Sequence, residues 1–136
     1  MQPPEHLSIE QGVACYRPQG EVSLTEGVEL ISDAIAYCRE QGRSLLMINV
    51  LGLHGHAVPT LVDRYWMAQD WAQAADGDVI VCVVARAEHI DPQKYGVMVA
   101  ADAGLTCNVY TDEARAFAWL DKIAHRANAP EYRTQP

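Results

Sequence analysis

Short apolar runs and helix-spaced apolar stripes alternate along this chain. The runs at residues 45–51 and 79–85 are apolar almost throughout and have the length of strands that are buried on both faces. Elsewhere, apolar residues recur every three to four positions, which is the spacing of a helix that buries one side. The pattern predicts a hairpin at 7–10 and 13–17, strands at 45–51, 79–85 and 106–110, and helices at 24–41, 59–75, 91–102 and 112–127.

Capping signals mark where these helices begin. Ser23 and Glu26 have the spacing of a capping box, and Pro59 suits the first turn of the second helix. Asp91 and Thr111 are the predicted N-caps of the third and fourth helices. In the second helix, the apolar spacing predicts a buried stripe made of Leu61, Val62, Tyr65, Trp66, Gln69 and Ala72.

The order of the elements predicts an α/β fold. Strands that alternate with helices pair in parallel through right-handed crossovers, and the opening hairpin adds an antiparallel edge. We therefore expect a mixed, mostly parallel five-stranded sheet with about four helices, in a single domain over residues 1–127. Residues 128–136 are polar and contain proline, and we expect them to form a disordered tail.

Composition narrows the classes of partner. The chain has 136 residues, with 10 basic and 18 acidic side chains, so its net charge is −8. Binding to nucleic acid or to an anionic membrane needs clustered Lys and Arg, so both partners are disfavoured. The longest apolar run, 79–85, is too short to span a membrane.

The N-terminus and the cysteines point to the cytoplasm. Residues 1–6 have no basic segment, and no apolar segment follows them as in a signal peptide. The four cysteines have irregular spacing without a C-x-x-C pair, so we interpret them as small buried apolar side chains. A reducing, cytoplasmic location is the expectation that fits these features.

Three stretches of the chain resemble a known family. They are Asp63-Arg64-Tyr65-Trp66, residues 90–96, and Ala103-Gly104-Leu105 with residues 109–120, which end in Ala-Trp-Leu. With the order of the elements, they resemble the SpoIIAA-like, or STAS-like, family of small bacterial α/β domains over about residues 7–122. The resemblance implies a mixed sheet with packed helices, as in anti-sigma factor antagonists and, more distantly, the CRAL-TRIO lipid-transfer fold.

The resemblance also implies a position for a phosphorylation switch. The best-known relatives are phosphorylated on a Ser or Thr in an Asp-Ser-Ser-Gly type of motif, at the start of the helix after the third strand. This chain has Gly55-His56-Ala57-Val58-Pro59-Thr60 at that place. Thr60 is the only hydroxyl there and is thus the candidate phosphoacceptor, with an ordinary first-turn residue as the alternative.

The carboxyl ends of the central strands are the candidate site. Ligands of open α/β sheets bind beyond these ends, where the loops after residues 51 and 85 meet. Solvent-facing loop residues are the alternative interpretation, and a metal site on His54, His56 and His89 is a weaker one, since imidazole binds several transition metals. The residues predicted to bind a ligand are His54, His56, Thr60, Arg64, Tyr65, Arg86 and His89.

Three functions remain open at this point. The first is a non-enzymatic STAS-like regulatory domain that binds a partner protein or itself, with a homodimer expected because homodimers are the commonest soluble assembly. The second is a carrier of a small apolar molecule or lipid in a pocket at the carboxyl edge of the sheet. The third is a metal-dependent enzyme. No phosphate-binding, metalloprotease or nucleophile-elbow motif occurs in the sequence, and no cofactor is implied.

Overall fold

The protein is described from a computed structural model that covers residues 2–127. The predicted tail at 128–136 lies outside the described residues. The helices are α1 (Leu24–Glu40), α2 (Leu61–Ala75), α3 (Tyr95–Asp102) and α4 (Glu113–Ala127). The strands are β1 (Leu7–Glu10), β2 (Val13–Tyr16), β3 (Gly20–Glu21), β4 (Leu45–Asn49), β5 (Leu53–His54), β6 (Ile80–Val84) and β7 (Cys107–Tyr110).

The main sheet has five strands in the order β1-β2-β4-β6-β7. β1 and β2 form the antiparallel hairpin, with Leu7 opposite Tyr16, and the other three pairings are parallel. The predicted α/β fold, with its mostly parallel mixed sheet and four helices, is confirmed. Within residues 2–127, no helix is long and apolar enough to cross a membrane.

Strand alternation divides the core into two layers. In β4, Leu46 and Ile48 face α1, α2 and α3, whereas Met47 faces α4. Successive side chains of a strand point to opposite faces, so an apolar run such as 45–49 supplies both layers at once. Three helices therefore cover one face of the sheet, and α4 covers the other.

Three predicted helix starts differ from the structure by one to four residues. α2 begins at Leu61 after the N-cap Thr60, so Pro59 precedes the helix and does not lie in its first turn. α3 begins at Tyr95, not in the 91–92 turn, because Lys94 takes a left-handed conformation with φ of 52°. The Asp91 carboxylate still caps the segment, accepting hydrogen bonds from the backbone of Gln93 and Tyr95. At α4, Asp112 and not Thr111 is the cap, since its carboxylate accepts the Arg115 amide at 2.8 Å.

A second, two-stranded sheet was not predicted. β3 and β5 pair in parallel, with Gly20 opposite Leu53, and this pairing holds the chain after β4 against the segment before α1. Gly55 follows with φ of +92°, and a Cβ there would meet Glu21 Cγ at 2.6 Å. Glycine is required at this turn both for its conformation and for its close approach.

A partly exposed ion network joins the hairpin to α4. Arg17, just after β2, contacts Glu10 and donates from Nε to Glu113 Oε2 at 2.8 Å, and Asn49 donates to the same carboxylate at 2.7 Å. The Arg17 guanidinium holds the pKa of Glu10 down to about 2 and lowers that of Glu113. The network therefore anchors the N-terminus of α4 to two strands.

The Arg17 network predicts a pH-dependent loss of stability. Carboxylates whose pKa is lowered by folding stabilise the protein above their unfolded value of 4.5, and this contribution is lost as pH falls towards 2. We expect Arg17→Met to lower the free energy of unfolding by about 1 kcal/mol at pH 7, through loss of the partly exposed pair with Glu113. At pH 3 we expect a smaller decrease. Urea denaturation at both pH values measures the difference. Arg115→Met, which removes an exposed pair on α4, is the control, and an equal loss at pH 3 and pH 7 would contradict the assignment.

Candidate functional site

A cavity of about 150 Å³ lies on the three-helix face, at the carboxyl ends of β4 and β6. Val50 and Leu53 reach it from the chain after β4, and Ala85 and Ile90 from the chain after β6. The helices form its other walls, with Val28 and Ile31 of α1, Met67, Ala68 and Trp71 of α2, and Val97 and Ala100 of α3. A volume of this size in an apolar surround is enough for a molecule about as large as benzene.

Two helices are tied together above the cavity. The indole Nε1 of Trp71 on α2 donates to the carbonyl of Val28 on α1 at 3.3 Å. Both residues line the cavity, so this bond holds the two apolar walls at a set distance. The partly buried indole N–H of Trp71 thus has a hydrogen-bond partner outside the cavity.

One end of the cavity is polar. His56 precedes α2 and His89 ends the short 3-10 helix Ala87–His89, and their ring centroids lie 5.2 Å apart in an edge-to-face arrangement. Arg64 of α2 donates from Nη1 to the His89 carbonyl at 3.1 Å. Three separate segments therefore bring two imidazoles and a guanidinium to one end of an apolar space.

The electrostatic environment of His89 favours its neutral form. Burial lowers the pKa of His89, and the neighbouring His56, Arg86 and Arg64 lower it further, while Glu88 acts in the opposite direction. In His56, Nδ1 lies 3.1 Å from the Ala57 carbonyl, so a proton there donates to the backbone. The Nε2 atom of that tautomer accepts a hydrogen bond when neutral and donates when protonated.

His54 lies apart from this cluster. It follows Leu53 in β5, and Leu53 is buried against the cavity whereas His54 is exposed. Since neighbouring strand residues point to opposite sides, the pairing of β5 with β3 turns His54 away. Among residues 2–127, no three His, Cys, Asp or Glu side chains are close enough to hold a metal ion. The proposed His54, His56 and His89 metal site thus gains no support from the geometry.

Thr60 and Arg86 have local bonding roles outside the cavity lining. Thr60 is the N-cap of α2: its hydroxyl accepts the Asp63 amide at 3.1 Å, and the Asp63 carboxylate accepts the Thr60 amide at 2.9 Å. Arg86 donates to the carbonyls of Leu51 and Leu53 and so fixes the loop after β4. Thr60 is exposed, and its phosphorylation stays a prediction.

The predicted buried stripe of α2 is wrong for Leu61, Val62, Tyr65 and Trp66, whereas Ala72 does pack against the core. Val62 is 67% exposed and Trp66 is 61% exposed, and Leu61 and Tyr65 are exposed beside them. The buried side carries Ala68 and Ala75, with Trp71 packed against the core. α2 has apolar residues on two sides, so local spacing could not decide which side faces the sheet. We call the exposed group Leu61, Val62, Tyr65 and Trp66 the outer face of α2.

Two further polar side chains of the lining are already bonded. The Lys94 ammonium donates to Asn108 Oδ1 at 2.7 Å and lies 4.6 Å from the centre of the Tyr110 ring. The Asp91 carboxylate accepts two backbone amides in the turn before α3. The Lys94 ammonium and the Asp91 carboxylate are therefore bonded to groups other than His56 and His89.

The cysteines are free and apolar in environment. Cys15, Cys38 and Cys82 are buried, and Cys107 is half-buried at the cavity wall. Burial raises the pKa of Cys107 to about 11 and that of Cys82 to about 12. Thiols with such values are protonated at neutral pH and are poor nucleophiles.

The cavity wall from α1 was not anticipated. Leu24, Gly27 and Val28 line the cavity although the sequence marks them only as part of a helix. Gly27 offers the one available signal, because glycine inside a helix is unfavourable by about 1 kcal/mol relative to alanine. Among the described residues, an added Cβ at Gly27 would contact only Val22 Cγ2, at 3.7 Å, so close packing does not require glycine there.

Comparison of the chain with family models and with curated proteins found no match in either set.

Proposed function

We propose that this protein binds a small, mainly apolar molecule in the cavity between α1, α2, α3 and the sheet. The observation that carries the proposal is the apolar cavity of about 150 Å³ with one polar end. Largely apolar clefts with a few convergent polar groups are the usual form of small-molecule sites. Such a ligand is about the size of a single ring or a chain of roughly six carbons, because a cavity of comparable volume accepts benzene.

The position of the cavity also supports binding. It opens from the carboxyl ends of β4 and β6, where open α/β sheets bind their ligands. The residues that define it come from the sheet, two loops and three helices, so a bound molecule would stabilise contacts between elements that are far apart in the chain. A ligand that binds only the folded protein raises its stability by mass action.

Fluorobenzene tests the proposal, because it is neutral and has the size of the cavity. We expect the ¹⁹F resonance of fluorobenzene to broaden or shift when the protein is added. In NMR spectra of the protein, we expect the amide resonances of cavity residues such as Val97 and Leu53 to shift. Native mass spectrometry of the protein as purified checks for a retained ligand. Unchanged spectra at millimolar fluorobenzene would overturn the proposal.

Self-association is a second candidate function, and the outer face of α2 favours it. Leu61, Val62, Tyr65 and Trp66 occur at adjacent positions on one side of the helix, and the Tyr65 and Trp66 rings pack edge to face at 5.2 Å. Contiguous exposed apolar patches are typical of interaction sites. A second copy is the occupant we propose, and this corresponds to the regulatory, partner-binding domain that is the first of the three functions considered from the sequence.

Sedimentation equilibrium tests this second candidate. We expect a concentration-dependent dimer that weakens at least tenfold when Val62 and Trp66 are both replaced by serine. Ile9→Thr is the control, because Ile9 is 44% exposed and lies on β1, at the opposite edge of the sheet from β7. A monomer at all concentrations, or an equal effect of the control, would exclude the outer face as a self-association site.

A further inference from the structure

The polar end of the cavity carries positive charge in an acidic protein. The whole chain has a net charge of −8, yet the end near His56 and His89 also holds Arg64, and Arg86 is close enough to lower the pKa of His89. Among the described residues that line the cavity, Asp91 is the only acidic one. The basic side chains Arg64, Arg86 and Lys94 outnumber the acidic Asp91 and Glu88 around this end. The local charge is thus positive, opposite in sign to that of the molecule.

Arg64 has donors left over at this end. One guanidinium nitrogen, Nη1, donates to the His89 carbonyl, and within residues 2–127 the side chain makes no other hydrogen bond. A guanidinium has five N–H groups in a planar fork that matches the two oxygens of a carboxylate. The side chain is half-buried, which strengthens a charge-assisted bond relative to one in open solvent.

The two imidazoles add further hydrogen-bonding groups to the polar end of the cavity. His89 makes no side-chain hydrogen bond within the described residues, and His56 bonds only the neighbouring Ala57 carbonyl. Neutral His89 can donate to an anion from one ring nitrogen, and His56 can donate from Nε2 when its ring is protonated. A cationic ligand at this end would meet Arg64 at short range, so like-charge repulsion excludes it.

We propose that the ligand is an organic monocarboxylate whose small apolar body fills the cavity and whose carboxylate binds Arg64, His56 and His89. This inference rests on the proposed function. Of the three residues proposed to bind the carboxylate, Arg64 carries the formal positive charge, which matches the single charge of a carboxylate. The apolar body is limited by the cavity to about the size of a phenyl ring.

Three matched ligands test the charge of the occupant: phenylacetate, the neutral phenylacetamide and the cationic 2-phenylethylammonium. They share a benzyl body and differ in the polar group. We expect NMR titration of the protein to give at least tenfold tighter binding of phenylacetate than of either other ligand. Equal or tighter binding of the amide or the ammonium would overturn the proposal.

Substitutions test whether Arg64 and His56 cause the preference for phenylacetate. Arg64→Gln keeps a hydrogen-bonding side chain but removes the charge, and we expect it to abolish the preference for phenylacetate. His56→Gln is the second variant, since His56 is not bonded to another element, and should reduce the preference several-fold. Arg115→Gln, an exposed arginine on α4, is the matched control and should leave it unchanged. A full preference retained in both Arg64→Gln and His56→Gln would overturn the proposal.

Fluorobenzene, measured in parallel, separates this inference from the proposed function. Binding of fluorobenzene without a preference for phenylacetate overturns the carboxylate proposal alone. Absence of binding by both molecules overturns the proposed function itself.

Discussion

Leu120→Ala is expected to lower the free energy of unfolding by about 2–5 kcal/mol. Leu120 is fully buried in α4 and packs with Met47, Val84 and Ala116 on the face of the sheet that α4 covers. Among residues 2–127, α4 is the only helix on that face, so few neighbours are available to fill the space left by truncation. Loss of the side chain therefore removes buried apolar contacts and leaves a cavity.

Leu61→Ala is the matched control for this prediction. Leu61 is 54% exposed on the outer face of α2, and we expect its truncation to change stability by no more than about 0.5 kcal/mol. Guanidinium denaturation followed by far-ultraviolet circular dichroism measures both variants. Equal losses in the two variants would contradict the assignment of the buried faces of α2 and α4.

Ala100→Leu is expected to weaken binding of fluorobenzene at least tenfold. Ala100 is 1% exposed and lines the cavity from α3, so the three added carbon atoms occupy the space that the ligand needs. Inserting methylene groups into a filled core lowers the free energy of unfolding by about 1–3 kcal/mol. A side chain that enters a cavity lowers it less, because it displaces fewer neighbouring atoms. We therefore expect a loss of affinity with a small change in stability.

A neighbouring alanine is the control for this second prediction. Ala101 follows Ala100 in α3 but is exposed and does not line the cavity, so Ala101→Leu should leave the affinity unchanged. Ala68→Leu fills the same cavity from α2 and serves where Ala100→Leu disturbs α3. Unchanged fluorobenzene affinity in both cavity variants would show that the ligand binds elsewhere.

Sequence reasoning recovers the sheet well because strand burial is a strictly local pattern. An apolar run such as 45–49 must be covered on both sides, and the helical stripes between such runs imply parallel crossovers. The capping box of Ser23 and Glu26 is likewise local, and both of its hydrogen bonds are present. Those elements agree with prediction to within two residues at their ends.

The candidate site is recovered only in part. His56, Arg64 and His89 lie together at the cavity, as a shared sheet edge suggests, whereas His54, Thr60, Tyr65 and Arg86 do not line it. The pairing of β3 with β5 turns His54 outward. The sequence could not predict this pairing, because each of these strands has only two residues and therefore no readable periodicity. The capping role of Thr60 depends on the helix beginning at Leu61.

The sequence by itself determined the α/β class, the order of the strands along the chain and the acidic character of the protein. Those properties follow from the periodicity of apolar residues and the count of charges, which are local or additive. Only the tertiary structure decided which side of α2 is buried and which residues enclose the cavity. The reason is that α2 has two apolar sides, and packing against α1, α3 and the sheet selects one of them through long-range contacts.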